Sequence, residues 1–354
     1  MNAGFWTAAV TAACFAALFL SAFQRNKERD RSRKRIVASI NNMRGLFALE
    51  ILVGHAVMHS GCGMPLDAYE KFLFVSVGFF FFASAFSIMH ALDVRPSYFD
   101  GFWKKPVTLA AFACISFLYD CLIALLSGTF AYYRAGENFA VLFFQRTNWF
   151  LWELAGFYIL FFLCFRTYHE KQGRAWRCIL LFAAAAAVMT ALYALEMQPA
   201  WYISTAAFPT GILAAAFYDE IRSFLFSRKG IGIGLLLVTA GLFSIAPLPI
   251  QEQYLGAVLL HNVFIAGSVI LILLFSSLWN RSAHSKVYGF FQSHSLALYL
   301  SQFIFMRISD SRQFSLAPRM CLVIGGSVIS AALLQPLYDA VKGCIRGRMK
   351  HESA

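Results

Sequence analysis

Arg44 and His55 are the residues whose types and spacing point most directly to chemistry. Both lie in an apolar stretch, residues 36–59, which is long enough to cross about 30 Å of hydrocarbon at roughly 1.5 Å per helical residue. An arginine inside a bilayer costs at least ~2.5 kcal/mol, so it indicates a function. Eleven residues at about 100° each bring both side chains to one helix face, roughly 16 Å apart along the axis. That face carries a cation suited to binding an anion and an imidazole suited to moving a proton.

The composition indicates that the whole chain is an integral membrane protein. Mean hydropathy is +0.62. Of the 354 residues 59% are hydrophobic and 14% are charged, against about 25% charged in a soluble domain. We identify about eleven apolar segments that could span a bilayer, at 4–23, 36–59, 71–92, 106–128, 148–166, 177–195, 201–221, 230–248, 255–279, 286–307 and 318–339. The fold prediction is therefore all-α, with about eleven transmembrane helices.

The first apolar segment is expected to remain in the protein. No basic region precedes residues 4–23, and a basic run at 24–35 follows it, which is the reverse of a signal peptide. We therefore predict three regions: a helix with a basic loop (1–35), a membrane domain (36–340) and a basic tail (341–354).

The distribution of basic residues predicts the orientation of the chain. If residues 24–35 are cytoplasmic, cytoplasmic segments carry 23 of the 30 Lys and Arg residues. The positive-inside rule then places the N-terminus outside and the C-terminus in the cytoplasm of a multi-pass plasma (inner) membrane protein. The net charge of +12 also favours contact with anionic lipid headgroups. Because the basic residues are scattered over short loops and form no stripe, nucleic-acid binding is not predicted.

The cysteines give no sign of a disulfide framework or a metal centre. The eight cysteines include no C-x-x-C pair and no spacing typical of zinc ligands. Motifs for dinucleotide binding, for a P-loop and for zinc proteases are also missing from the sequence. We therefore expect no metal.

Four motifs in order resemble the membrane-bound acyltransferase 3 family. Residues 43–46 followed by His55 are similar to the family's first helix, where an arginine precedes a histidine by eleven positions. Residues 80–88 resemble its FFVLSGFLI stretch, residues 149–158 its helix with a tryptophan and a Phe-Tyr pair, and residues 295–300 its helix ending in Tyr-Leu. The resemblance covers residues 36–340 and implies a bundle of ten helices, to which segment 4–23 would be an additional helix.

The sequence departs from the family's pattern at several positions. Ala85 stands where a glycine is frequent, and Lys104 and Lys105 stand where paired arginines are frequent. Gln302 stands where many members have a second histidine. Glu153 follows Trp149 by four positions where some members have a glutamate five positions on. One position rotates a helical side chain by about 100°.

The resemblance implies an acyl-CoA-dependent acyltransferase that transfers groups other than aminoacyl groups. Its acyl group, expected to be acetyl, would pass from cytoplasmic acyl-CoA to a hydroxyl of a cell-envelope or surface glycan. Acyl-CoA, this acceptor and the lipid bilayer are the expected partners. On the predicted topology Arg44 lies about 12 Å from the cytoplasmic end of its helix and His55 about 6 Å from the outer end. A pantetheine arm is comparable in length to the separation between them.

These positions suggest roles for the candidate residues. His55 would be the catalytic base, and Arg44 would bind CoA phosphates or stabilise the developing oxyanion. Lys104 and Lys105, at the cytoplasmic mouth, would contact the nucleotide phosphates, although ordinary flanking lysines would look the same. Glu153 is a candidate catalytic partner that fixes the imidazole.

Other intramembrane polar residues leave alternatives open. Asp120 is a second candidate partner of His55, whereas Glu50 lies about 140° around the same helix and cannot reach it. Either candidate carboxylate would also be explained by an interfacial ion pair with a residue such as Arg146. His59, one turn after His55, is expected at the interface. Two further histidines are expected to be structural, His261 and His294.

Two other functions remain as alternatives. A transporter or flippase of glycan or lipid-linked intermediates would also place charged residues in the membrane. Its sequence would be expected to show an internal repeat and more broken helices, whereas this chain has nine prolines and no evident repeat. A non-catalytic family member within an envelope complex is the other alternative.

Overall fold

The computed structural model describes residues 23–25, 33–58, 66–95, 97–134, 138–167, 173–227, 255–278, 281–283 and 286–351. Almost all of these residues are helical, as the all-α prediction requires. Two predicted segments, 4–23 and 230–248, lie outside the described residues except for the last residue of the first. His59 also lies outside them.

The longest helices give the bundle its framework. They are α1 (Arg33–Met58), α2 (Leu66–Val94), α3 (Lys104–Leu126), α6 (Trp149–Phe165), α7 (Arg174–Ala194), α10 (Leu255–Leu278), α12 (Ser295–Ser311) and α13 (Leu316–His351). Shorter helices are α4 (Phe130–Arg134), α5 (Phe139–Val141), α8 (Ala207–Ala216), α9 (Tyr218–Ser227) and α11 (Lys286–Ser293). A π-helical turn, Leu142–Thr147, precedes α6, and two short strands, β1 (Phe23–Arg25) and β2 (Arg281–Ala283), pair antiparallel.

The described helices fit a multi-pass membrane protein, but they do not confirm the predicted count of eleven. Five are long and apolar enough to cross a bilayer: Ile36–Val57, Leu73–Val94, Lys104–Leu126, Arg174–Ala194 and Leu316–Ile345. Three shorter apolar helices lie at Trp149–Phe165, Ala207–Ala216 and Val258–Leu273. The last helix also continues through most of the predicted tail, to His351.

Two segments predicted as single spans are interrupted. Segment 201–221 consists of a 3₁₀ turn (Pro199–Trp201), an irregular stretch, α8 and α9. Segment 286–307 is divided between α11 and α12 at His294. A hydropathy window averages over such breaks, because the residues that form them remain apolar.

Asn262 on α10 stabilises the irregular stretch before α8. Its side chain accepts a hydrogen bond from the backbone N–H of Ala206 (2.8 Å) and donates one to the carbonyl of Tyr202 (2.8 Å). Non-helical backbone within a membrane is tolerated where protein groups satisfy its hydrogen bonds. Asn262 thereby allows residues 202–206 to remain non-helical inside the bundle.

Helix α2 lies at the centre of the bundle, between α1, α8 and α10. Phe79 on α2 stacks on Phe47 of α1 with the ring centroids 4.2 Å apart. A Cβ added at Gly211 of α8 would lie 2.5 Å from the carbonyl oxygen of Phe82. The absence of a side chain at Gly211 therefore lets α8 approach the backbone of α2 directly.

Helix α1 is attached closely to α11 near Arg44. A Cβ added at Gly45 would lie 2.8 Å from the backbone nitrogen of Gln292. Asn42, three residues before Gly45 and on the same side of the helix, accepts a hydrogen bond from Gln292 Nε2 (2.9 Å) at its side chain. The Tyr288 hydroxyl donates to the carbonyl oxygen of Asn42. These contacts, which we call the Asn42 clamp (Asn42, Gly45, Tyr288 and Gln292), fix the depth and rotation of α1.

Candidate active site

Arg44 and His55 lie on a face of α1 that turns into the bundle. Ala48 and Ile51, which lie between them on this face, are both 0% exposed. Arg44 and His55 themselves are partly buried. The shared face predicted from the spacing is therefore directed at protein, and the two side chains are roughly 16 Å apart along the helix axis.

Tyr158 of α6 lies near both Arg44 and Lys105, at one end of the bundle. The Arg44 guanidinium is within electrostatic range of the Tyr158 hydroxyl, which also lies near the side chain of Ser84. Lys105 Nζ lies 5.9 Å from the centroid of the Tyr158 ring. Arg44 is about 12 Å from the Ile36 end of its span and Tyr158 about 10 Å from the Phe165 end of α6. The structure therefore brings Arg44 and Lys105, far apart in sequence, to a single tyrosine.

Tyr98 extends this group toward the end of the bundle. It lies in the turn between α2 and α3, where Lys105 Nζ is 5.5 Å from the centroid of its ring. Burial raises the pKa of Tyr98, so its hydroxyl remains a neutral hydrogen-bond donor. That hydroxyl has no hydrogen-bond partner among the described residues, and neither has the buried Nε of Arg44. We call Arg44, Tyr98, Lys105 and Tyr158 the cationic cluster.

Lys104 has a different environment from Lys105. Its side chain lies over the turn glycine Gly101, where an added Cβ would be 2.9 Å from Lys104 Cε. Both lysines begin α3 and are partly buried, and Pro106 follows them in the first turn, where proline is well tolerated. Of the two predicted phosphate ligands, the structure places Lys105 in the cationic cluster and Lys104 beside it in the turn.

The three intramembrane carboxylates have separate surroundings. Glu50 accepts a hydrogen bond of 2.5 Å from the Ser76 hydroxyl of α2, on a side of α1 away from His55. Glu153 is 6% exposed and Asp120 is 0% exposed. Neither oxygen of either carboxylate has a hydrogen-bond partner in the described ranges.

Asp120 lies beside the contacts that join α3 to α13. Ser116 and Tyr338 are hydrogen-bonded at 2.6 Å, and so are Tyr119 and Ser330. The Tyr119 and Tyr338 hydroxyls are within electrostatic range of Asp120. Its surroundings thus belong to the interface between two long helices rather than to the cationic cluster.

The sequence of the chain matches the acyltransferase 3 family model, described as an acyltransferase domain, over residues 37–336. The chain belongs to the acyltransferase 3 family. No curated protein and no solved structure gives a significant match to the chain. With its apolar helices, this membership identifies a multi-pass membrane acyltransferase.

In this acyltransferase the sequence motifs did not reveal the position of Tyr158. The Phe-Tyr pair at 157–158 was part of the family resemblance, but nothing in its spacing connected it with Arg44 or Lys105. Phe157 stacks on Phe208 at 4.9 Å, whereas Tyr158, one position on, lies near Arg44 and Lys105. The one signal in the sequence was the polar hydroxyl of Tyr158, which directly follows the apolar packing residue Phe157.

Two other histidines of the acyltransferase make local contacts. The His294 ring stacks on Phe290 at 4.1 Å, where α11 ends and α12 begins. The His261 ring meets Phe74 edge-on at 6.5 Å. Among the described residues no group of three or more His, Cys, Asp and Glu side chains comes together as a metal site would require.

Proposed function

We propose that the protein is an O-acyltransferase, in the first instance an O-acetyltransferase, that uses cytoplasmic acyl-CoA to acylate a hydroxyl of a cell-envelope or surface glycan. The observation that carries the proposal is the arrangement of α1. Its inward face leads from the cationic cluster at Arg44 to the imidazole of His55. One end of that face suits an anionic carrier and the other suits proton transfer.

The cationic cluster has the groups that a CoA nucleotide requires. Arg44 offers a planar guanidinium that can hold a phosphate through two N–H groups, and its Nε has no partner in the described chain. Lys105 adds a second positive charge, and the Tyr98 hydroxyl adds a neutral donor. With the phosphates held here, the pantetheine arm would extend along α1 toward His55.

The reaction at His55 is a simple acyl transfer. His55 takes the proton of the acceptor hydroxyl as the oxygen attacks the thioester carbonyl, so that a C–O bond forms and the C–S bond breaks. The proton then passes from the imidazolium to the departing thiolate. The products are the O-acyl ester and free CoA, with no oxidant, reductant or metal required.

A donor-turnover measurement separates this function from its rivals. Full-length protein purified in detergent should release free CoA thiol from acetyl-CoA, slowly with water and faster when a hydroxyl acceptor is added. The control is the same preparation after His55→Ala substitution. A transporter or a non-catalytic family member would release no thiol above this control, and that result would refute the proposed enzyme function.

The donor must approach from the cytoplasm, which requires a defined topology. We propose a plasma-membrane protein with its N-terminus outside and its C-terminus inside. A reporter fused after Ala354 should therefore be active in the cytoplasm, and one inserted at Gly136 should be active on the opposite side. An extracytoplasmic Ala354 fusion would place the cationic cluster on the wrong side for cytoplasmic CoA and would contradict the model.

A further inference from the structure

We propose that Glu153, Trp201, Tyr299 and Gln302 form the binding site for a sugar ring of the acceptor, which we call the Glu153 site. This inference rests on the proposed function and names residues that would hold the acceptor's sugar. It gives Glu153 the role of binding the acceptor in place of the expected role of orienting His55.

Glu153 is the centre of the site because its hydrogen-bonding capacity is unused. Its carboxyl group is buried on α6, and both oxygens lack a hydrogen-bond partner among the residues described. Thr205 lies near the carboxyl group, but its hydroxyl donates to the carbonyl of Tyr202 (3.1 Å). A buried carboxylate without a partner is costly, so a site built this way is expected to receive a ligand that donates hydrogen bonds.

Aromatic rings from two other segments lie beside Glu153. Trp149, one helical turn before Glu153, has its ring centroid 6.4 Å from that of Trp201 in the 3₁₀ turn. Phe150, three residues before Glu153, has its ring centroid 5.1 Å from that of Tyr299 on α12. The Tyr299 hydroxyl is within electrostatic range of the Glu153 carboxyl group. Helix α6, the irregular stretch before α8 and α12 thus converge at this point.

The same region holds a second unused acceptor and an unused donor. Gln302 follows Tyr299 by three residues, which places it on the same face of α12. It is 4% exposed, and its Oε1 has no partner in the described ranges. Trp201 Nε1 is also buried without a partner there. One ligand could satisfy all of these groups only if it both donated and accepted hydrogen bonds.

A sugar ring has this combination of properties. Its hydroxyls would donate to Glu153 and Gln302 and accept from Trp201, while its C–H faces would pack on the aromatic rings. A lipid tail would leave the polar atoms unsatisfied, and a free anion would meet the acceptor oxygens of Glu153 and Gln302 where it requires donors. The site also lies toward the Trp149 end of α6, about 8 Å along the helix from Tyr158. On the proposed topology this is the outer side, where a glycan would arrive.

Direct binding measurements test the Glu153 site without depending on catalysis. Detergent-purified full-length protein would be titrated, in the absence of acyl-CoA, with methyl glycosides of glucose, galactose, rhamnose and N-acetylglucosamine. We expect at least one to bind saturably. Glu153→Gln should raise its Kd about tenfold or more, because the amide replaces one of the two carboxyl oxygens with an NH₂ group that cannot accept a hydrogen bond from the sugar. Trp201→Phe, which removes the N–H but keeps an aromatic ring, should raise it several-fold.

Trp152→Phe is the matched control for the loss of an indole N–H. Trp152 also has a buried Nε1 without a partner in the described chain, but its ring packs on Phe143 and Phe144, away from the Glu153 site. Its substitution should leave glycoside affinity and acyl-CoA turnover unchanged. Equal weakening by Trp152→Phe and Trp201→Phe would refute the site.

Two further outcomes would overturn the inference. If no glycoside binds the wild-type protein while acetyl-CoA turnover is intact, the sugar assignment is wrong and the proposed function stands. If Glu153→Gln lowers the rate of acyl transfer but leaves the Kd of the glycoside unchanged, Glu153 acts on His55 and not on the acceptor. Failure of acetyl-CoA turnover in the wild type would refute the proposed function separately.

Discussion

His55→Ala is expected to lower acyl transfer by at least ~10²-fold while the protein still inserts and still binds CoA. The physical reason is the separation of roles along α1. The imidazole removes a proton at one end of the face, and the CoA nucleotide is held at Arg44, roughly 16 Å away. The measurement is the transfer rate together with CoA affinity, for wild type and variant at matched expression.

His59 provides the control for this substitution. It lies outside the described residues, and the helix predicted from the sequence at 36–59 would place its side chain one turn beyond that of His55, where it cannot occupy the same place. His59→Ala should therefore reduce transfer much less. Normal transfer by His55→Ala with an inactive His59→Ala would show that the base is misassigned by one turn. Normal transfer by both would contradict the enzyme proposal.

Arg44→Ala is expected to reduce acyl transfer to background, through loss of donor binding. Arg44→Lys should restore little activity, because lysine keeps the charge but lacks the planar fork that can hold a phosphate or a carbonyl at two points. The readout is the Kd for CoA, which should rise about tenfold or more in both variants, as expected when charge-assisted hydrogen bonds are lost. Proteolysis or size-exclusion profiles in detergent would establish that the variants are folded.

Tyr158→Phe tests whether the Tyr158 hydroxyl contributes to CoA binding in the cationic cluster. This variant keeps the aromatic ring beside Lys105 and removes only the hydroxyl that lies near Arg44 and Ser84. It should weaken CoA binding by less than Arg44→Ala does. Near-normal transfer and CoA affinity in Arg44→Ala would reduce Arg44 to a structural cation and remove the inner-side donor site.

Sequence predicted those features that depend on one helix and its chemistry. The spacing of Arg44 and His55 needs only the geometry of an α-helix, and their inward direction follows from the cost of exposing charge to lipid. The long apolar helices could likewise be predicted, because a hydropathy average detects apolar segments of membrane-spanning length directly. Family membership followed from four ordered motifs, and the match over residues 37–336 confirms it.

Features that depend on contacts between distant helices were not predictable in this way. The sequence could not show that Lys105 rather than Lys104 lies on Tyr158, because that depends on how α3 and α6 are rotated against each other. It also could not show that residues 202–206 leave the helix, since Asn262, on another helix, supplies the hydrogen bonds that permit it. Nor could it show that Thr205 and Tyr299, from two other segments, lie near the Glu153 carboxyl group.

Helix α1, held in place by the Asn42 clamp, sets the distance that a bound donor must span. Arg44 and His55 lie on this one helix, so its rise fixes the distance between them, and the close approach of Gly45 to Gln292 with the two hydrogen bonds of Asn42 holds both residues in place against α11. A carrier anchored at Arg44 must itself reach across the roughly 16 Å of helix between the two residues. The first criterion for a donor is therefore the length of its arm, and only after that the size of the acyl group it carries.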